Sequence, residues 1–124
     1  MDGRLDHRGQ PILDLRLVGA EIPLAVLIDT GFDGELLVYR SQLEAAGLHP
    51  ISQDLERVQL ADGTVVTTLV VTIQVQWHDE LRPSIVNVIG YDASEGARAI
   101  LGCQLLRDST LDINFPAGTV RITR

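Results

Sequence analysis

An apolar run that stops on a carboxylate constrains this chain more than any other stretch: Val26-Leu27-Ile28-Asp29-Thr30-Gly31. The run of aliphatic and β-branched residues reads as a buried strand. Such a strand delivers Asp29 into an apolar setting, where a charge is costly unless it is hydrogen-bonded or shares a proton. Thr30 offers a hydroxyl, and Gly31 lets the backbone approach closely or take a positive φ. Taken alone, the same run also describes a strand closed by an Asp-capped turn. The remainder of the chain decides between the two.

That remainder is dominated by short strands. Pro11 to Val18 alternates apolar and polar residues, turns at Gly19-Ala20-Glu21 and returns as Ile22 to Ile28, which predicts a hairpin. Glu35 to Tyr39 is a short strand. Ser41 and Glu44 have the spacing of a capping box, and Gly47 and Pro50 supply the stop, so one helix of about two turns is predicted. Leu55 to Leu60 and the long β-branched Val65 to Trp77 flank Asp62-Gly63, the strongest turn signal here. The long strand has the length to span two sheets or to bend midway. Further strands are read at Ser84 to Ile89, Ala99 to Leu101, Thr110 to Phe115 and Thr119 to Thr123, with one helical turn at Cys103 to Arg107. Only 4% of residues are aromatic, so the core has to be built from Val, Ile and Leu. Trp77 is expected at a sheet edge. The pattern predicts an all-β fold with one short helix, closed into a barrel. Residues 11–124 read as a single domain, and the polar residues 1–10 as a flexible N-terminal arm.

Charge narrows the function classes. The net charge is −7 and all ten basic residues are arginine, which argues against nucleic acid or an anionic membrane as partner. Cys103 stands alone, which excludes an intrachain disulfide, and no apolar run reaches transmembrane length. With no signal peptide read at the start, the expected setting is reducing and cytoplasmic.

Three further stretches join the first to make a resemblance. They are the hairpin tip Ala61-Asp62-Gly63, the run Ile100-Leu101-Gly102-Cys103-Gln104-Leu105-Leu106, and Asp112-Ile113-Asn114-Phe115. In that order and spacing, from about Pro11 to Ile122, the chain resembles the retropepsin-like aspartic proteases, close to their small bacterial members. The resemblance implies an acid-protease barrel working as a homodimer. Asp29 would be the catalytic residue, with Thr30 and Gly31 holding its loop and Ile100, Leu101 and Gly102 supporting it from beside. Ala61, Asp62 and Gly63 would be the tip of a flap over an extended peptide, with Phe32 and Asp33 also in the substrate site. Two close carboxylates cannot both ionise easily and share a proton, so one acts as base toward water and the other as acid toward the carbonyl. Asp-Thr-Gly occurs once, since Asp33-Gly34, Asp62-Gly63 and Asp108-Ser109-Thr110 each lack a part of it. One half-site per chain implies a two-fold dimer with Asp29 at the axis. No metal or organic cofactor is implied, and the partners are a second copy and a peptide or protein substrate. The chain departs from the family at Phe32, where Ala or Ser is usual, and at Cys103, where retroviral enzymes carry Arg.

The alternative within the same fold is a dimeric peptide-binding or scaffold domain without turnover; an unrelated barrel acting in assembly is the third reading. Other motifs fall away. Asp29 to Gly34 has the look of a calcium loop, but Gly31 takes a ligand position and Arg40 stands where a bidentate Glu belongs. His7, His49 and His78-Asp79-Glu80 lack metal-ligand spacing. Cys103 has no His near it in sequence and reads as a small buried apolar residue.

Overall fold

The computed structural model describes residues 1–124. It contains ten strands and one short helix: β1 (Asp2–Leu5), β2 (Pro11–Leu15), β3 (Leu24–Ile28), β4 (Leu36–Tyr39), α1 (Arg40–Ala45), β5 (Leu55–Gln59), β6 (Val65–Trp77), β7 (Glu80–Ile89), β8 (Ala99–Leu101), β9 (Thr110–Asn114) and β10 (Thr119–Thr123). All strands share one sheet, ordered β5-β6-β7-β4-β8-β3-β2-β1-β10-β9. Most neighbours are antiparallel; β3–β8 and β4–β7 are parallel.

The expected closed barrel is corrected to an open sheet, with β5 and β9 as free edges. Closure fails because β6 changes partner along its length. β7 holds one edge of it from Thr68 to Trp77, while its other edge pairs with β5 from Val65 to Leu69 and farther along only bridges Leu17 through Val75. Two backbone bonds, Val18 N–H to Gln74 O at 2.8 Å and Gln76 N–H to Arg16 O at 2.9 Å, stitch that contact.

The expected flexible arm over residues 1–10 is likewise corrected. Residues 2–5 form β1, which pairs with β10 on one side and β2 on the other. The alternation Gly3, Leu5 is too short to announce a strand, and it is the two partners that supply its hydrogen bonds. The helix starts earlier than the Ser41–Glu44 spacing suggests. Tyr39, the last residue of β4, is the N-cap, and its N–H donates to Gln42 Oε1 at 3.0 Å. With β4 pinned to β7 as far as Tyr39↔Ile89, no loop separates strand from helix, so the cap falls on the strand's own end.

The core contains the predicted aliphatic side chains, with Trp77 its one buried aromatic. Trp77 is fully buried rather than at a sheet edge, and the Arg82 guanidinium lies 5.9 Å from its ring centre. No helix is long and apolar enough to cross a membrane.

Candidate active site

The site is built around β8, three residues long, with β3 parallel on one side and β4 antiparallel on the other. The segment 29–35 leaves β3, passes the end of β8 and returns as β4, so the two strands flank the loop that joins them. Asp29 N–H donates to Leu101 O at 2.9 Å, which extends the β3–β8 ladder to the carboxylate-bearing residue. Beyond Leu101 the backbone clasps the loop. Gly102 N–H donates to Glu35 O at 2.8 Å, Cys103 N–H to Phe32 O at 2.9 Å and Gln104 N–H to Gly34 O at 3.1 Å. Gly102 is buried because the loop lies directly on it. A Cβ there would collide with Gly34 O and stand 2.6 Å from Phe32 O.

Asp29 is half-buried, and its Oδ1 accepts the Gly31 N–H at 2.9 Å. A Cβ on Gly31 would stand 3.1 Å from that oxygen, so a residue without a side chain suits the carboxylate's position. Thr30 is exposed. The Phe32 ring folds back on its own loop, with atoms 2.5 to 3.2 Å from where a Gly34 Cβ would be. Asp33 is exposed and has no hydrogen-bond or ion-pair partner within the chain.

Two adjoining clefts open between this loop and the β5–β6 hairpin. The inner one, about 390 Å³, is bordered by Asp29, Leu37, Tyr39, Ile89, Arg98 and Ile100. The outer one, about 450 Å³, is bordered by Asp33, Gly34, Glu56, Arg57, Val58 and Asn87. Gly31, Phe32, Gln59, Leu60 and Ala61 border both. Thus Asp29, Gly31, Phe32, Asp33, Ile100, Ala61 and Asp62 are gathered about one continuous groove. Leu101 and Gly102 lie under the loop instead. Gly63, at φ +87°, is the outermost point of the hairpin and borders neither cleft. Asp62 Oδ1 accepts the Thr64 N–H at 2.8 Å, and bonds from Thr64 lower its pKa.

Sequence reasoning missed Asn87 and Arg98. Asn87 had a signal, being the lone polar residue in the β-branched run Ile85 to Ile89. Arg98 had none: it borders the cleft that Asp29 also borders, and its ion-pair partner, Asp6 at 3.3 Å, lies ninety-two residues away. Asp6 is held ionised below the usual carboxylate range by the Gln10 and Arg8 backbone N–H groups and by Arg98. Cys103 is half-buried, with no histidine bonded to it. No three His, Cys, Asp or Glu side chains converge as a metal site requires.

By sequence the chain matches no family model and no curated protein. By structure it is similar to a retropepsin-like aspartic protease from Rickettsia conorii. The TM-score is 0.71 at 14% identity, over 99% of this chain and 88% of that one. It is also similar to EIAV protease complexed with the inhibitor HBY-793, with a TM-score of 0.64 at 17% identity over 83% and 90% of the two chains. The strand-flanked Asp-Thr-Gly loop and both likenesses agree, and the chain has the retropepsin-like fold.

Proposed function

We propose that this chain is one half of an aspartic endopeptidase, in which two copies bring their Asp29 carboxylates together about a two-fold axis. The observation that carries the reading is the placement of Asp29. It stands half-buried at the wall of a groove roofed by a hairpin, with its backbone fixed to Leu101 and its carboxylate to Gly31. One chain supplies one such carboxylate, and acid–base hydrolysis of a peptide needs two, so the second comes from a partner copy. Between them the pair holds one proton. The ionised Asp29 takes a proton from water as the water oxygen bonds to the peptide carbon, and the protonated Asp29 gives its proton to the carbonyl oxygen. Collapse of that tetrahedral species breaks the C–N bond and returns a proton to the leaving amine. The peptide lies extended beneath the β5–β6 hairpin, which acts as a lid. The substrate is a peptide or protein, and no resident cofactor takes part.

The test is cleavage of a mixed peptide library by the parent and by Asp29→Asn from acid to neutral pH. Asn keeps the shape and removes the base, so cleavage is expected to fall by about 10²- to 10⁴-fold. Sedimentation of the parent is expected to show a dimer. Cleavage surviving in Asp29→Asn, or a monomer at every micromolar concentration, contradicts the proposal. A dimer that binds peptides and cuts none of them is instead the peptide-binding domain of the same fold.

A further inference from the structure

The floor of the groove is the outer face of β4, β7 and β8. Along each strand side chains alternate between faces. Leu36, Val38, Val86, Val88, Ala99 and Leu101 point into the core, which turns Leu37, Tyr39, Asn87, Ile89 and Ile100 to the groove, where each borders a cleft. Among these the carboxamide of Asn87 stands out. The residue is only 4% exposed, with apolar neighbours on either side along β7.

Its orientation is fixed by the hydroxyl beside it. Thr68, 1% exposed, has a single hydroxyl proton, which it donates to Glu56 O at 3.0 Å. Thr68 Oγ1 can therefore only accept from Asn87, and Asn87 Nδ2 donates to it at 3.0 Å. With the amide nitrogen so committed, Oδ1 is the carboxamide's free end, and it has no partner within the protein. The atom is open to the cleft, so a bound side chain that shuts water away from it without supplying a donor leaves the acceptor unpaired, and the site discriminates against that side chain.

We propose that Asn87 is a specificity-determining residue of the outer cleft, accepting a hydrogen bond from a hydroxyl or amide side chain of the bound peptide. The substrate residue seated there is then Ser, Thr, Asn or Gln in preference to an aliphatic one. The proposal rests on the endopeptidase reading of the site. The outer cleft shares Phe32 and Leu60 with the inner one but does not reach Asp29. In an extended peptide successive side chains point to opposite faces, so the selected residue flanks the scissile bond without forming it. The charged groups bordering this cleft, Asp33, Glu56 and Arg57, are exposed at its rim, where water and salt weaken their choice of partner.

The experiment is a positional-scanning peptide library cut by the parent and by Asn87→Leu, which is similar in size and lacks the acceptor. The parent is expected to favour Ser, Thr, Asn or Gln over Val or Leu by about tenfold at one position flanking the cut. Asn87→Leu is expected to reverse that ratio while cutting at the same bond. The parent's profile decides the matter even where the variant fails to fold. Cleavage with an aliphatic preference, or with none, at every flanking position overturns the role of Asn87 and leaves the endopeptidase reading standing. Reversal absent in a folded Asn87→Leu does the same. A parent that cuts no peptide in the library removes both.

Discussion

Gly102 has room for a hydrogen atom and nothing larger. A Cβ would strike the Phe32 ring and the carbonyls of Gly34 and Phe32; the carbonyls are backbone groups tied to Gln104 and Cys103, so turning the ring cannot relieve the clash. Gly102→Ala is expected to push the 29–35 loop off β8, at a cost of about 1–3 kcal/mol, read as a lower denaturant midpoint. Because Asp29 rides on that loop, a displacement of roughly 1 Å is expected to slow cleavage by about 10²-fold. Gly90→Ala is the control: its Cβ would meet nothing within 4 Å, and the change is expected to stay within about 0.5 kcal/mol of the parent. Equal loss in the two variants would mean that close packing at Gly102 is not what holds the loop. At this scale the sequence was legible where chemistry and spacing coincide. Asp29, Gly31 and the apolar pair before Gly102 are set by short-range backbone needs that residue types display directly. Asn87 and Arg98 act through partners nineteen and ninety-two residues distant, and no local pattern carries that information.

Among the elements, the β5–β6 hairpin is the one whose tip, Ala61 to Val65, stands exposed and clear of the core. Its tip is closed by Leu60 N–H to Thr64 O at 2.7 Å, Gly63 N–H to Leu60 O at 2.9 Å and the Asp62 carboxylate on Thr64 N–H. Gly63 lies at φ +87° with open space where a Cβ would be. Gly63→Val therefore meets no neighbour and bears only the conformational penalty, about 1–2 kcal/mol confined to the tip. Peptide cleavage is expected to slow by about tenfold, with the thermal midpoint lowered by only a few degrees because the strain stays at the tip. Cleavage at the parental rate would place the lid elsewhere. This hairpin was readable because Asp-Gly states its turn outright. The next one was not. His78-Asp79 joins β6 to β7 with His78 at φ 56°, a left-handed position that histidine fills but does not advertise. Pro83, which argues against a strand, is tolerated because the β4 ladder begins only at Val86, so the missing N–H falls on a stretch with a free edge. The first half of β7 was hidden in the sequence for those two reasons, and β1 because its pairing depends on residues from both ends of the chain.

At the scale of the whole molecule, distant segments meet around His78. Its N–H donates to Met1 Sδ at 3.1 Å, its Nε2 lies 2.9 Å from Ser109 Oγ, and its ring meets Trp77 edge-on at 5.5 Å. The Met1 amino group donates to Ile122 O at 2.7 Å, while Arg82 pairs with Asp108 and Arg124 with Glu80. Partial burial lowers the His78 pKa below its ordinary 6.5, aided by the positive Arg124, Met1 amino group and Arg82 and opposed by Asp108. The folded chain thus binds this proton less readily than the unfolded one. Above pH 6.5 both states are neutral at His78 and its contribution is complete. As the pH falls below that value the unfolded state protonates first, and stability is lost until the folded-state pKa is passed. His78→Asn keeps a residue suited to the left-handed backbone and removes the titration. It also loses the contact with Trp77, which lowers its melting temperature by an amount independent of pH. The informative quantity is therefore the difference in melting temperature between parent and variant from about pH 8 to about pH 5, a window above the carboxylate range. Asp6, Asp62 and Asp108, all with lowered pKa values, lose their contributions only at stronger acid. The parent's advantage is expected to shrink steadily as the pH falls through that window; parallel curves for the two proteins would show that His78 carries no pH-dependent part of the stability.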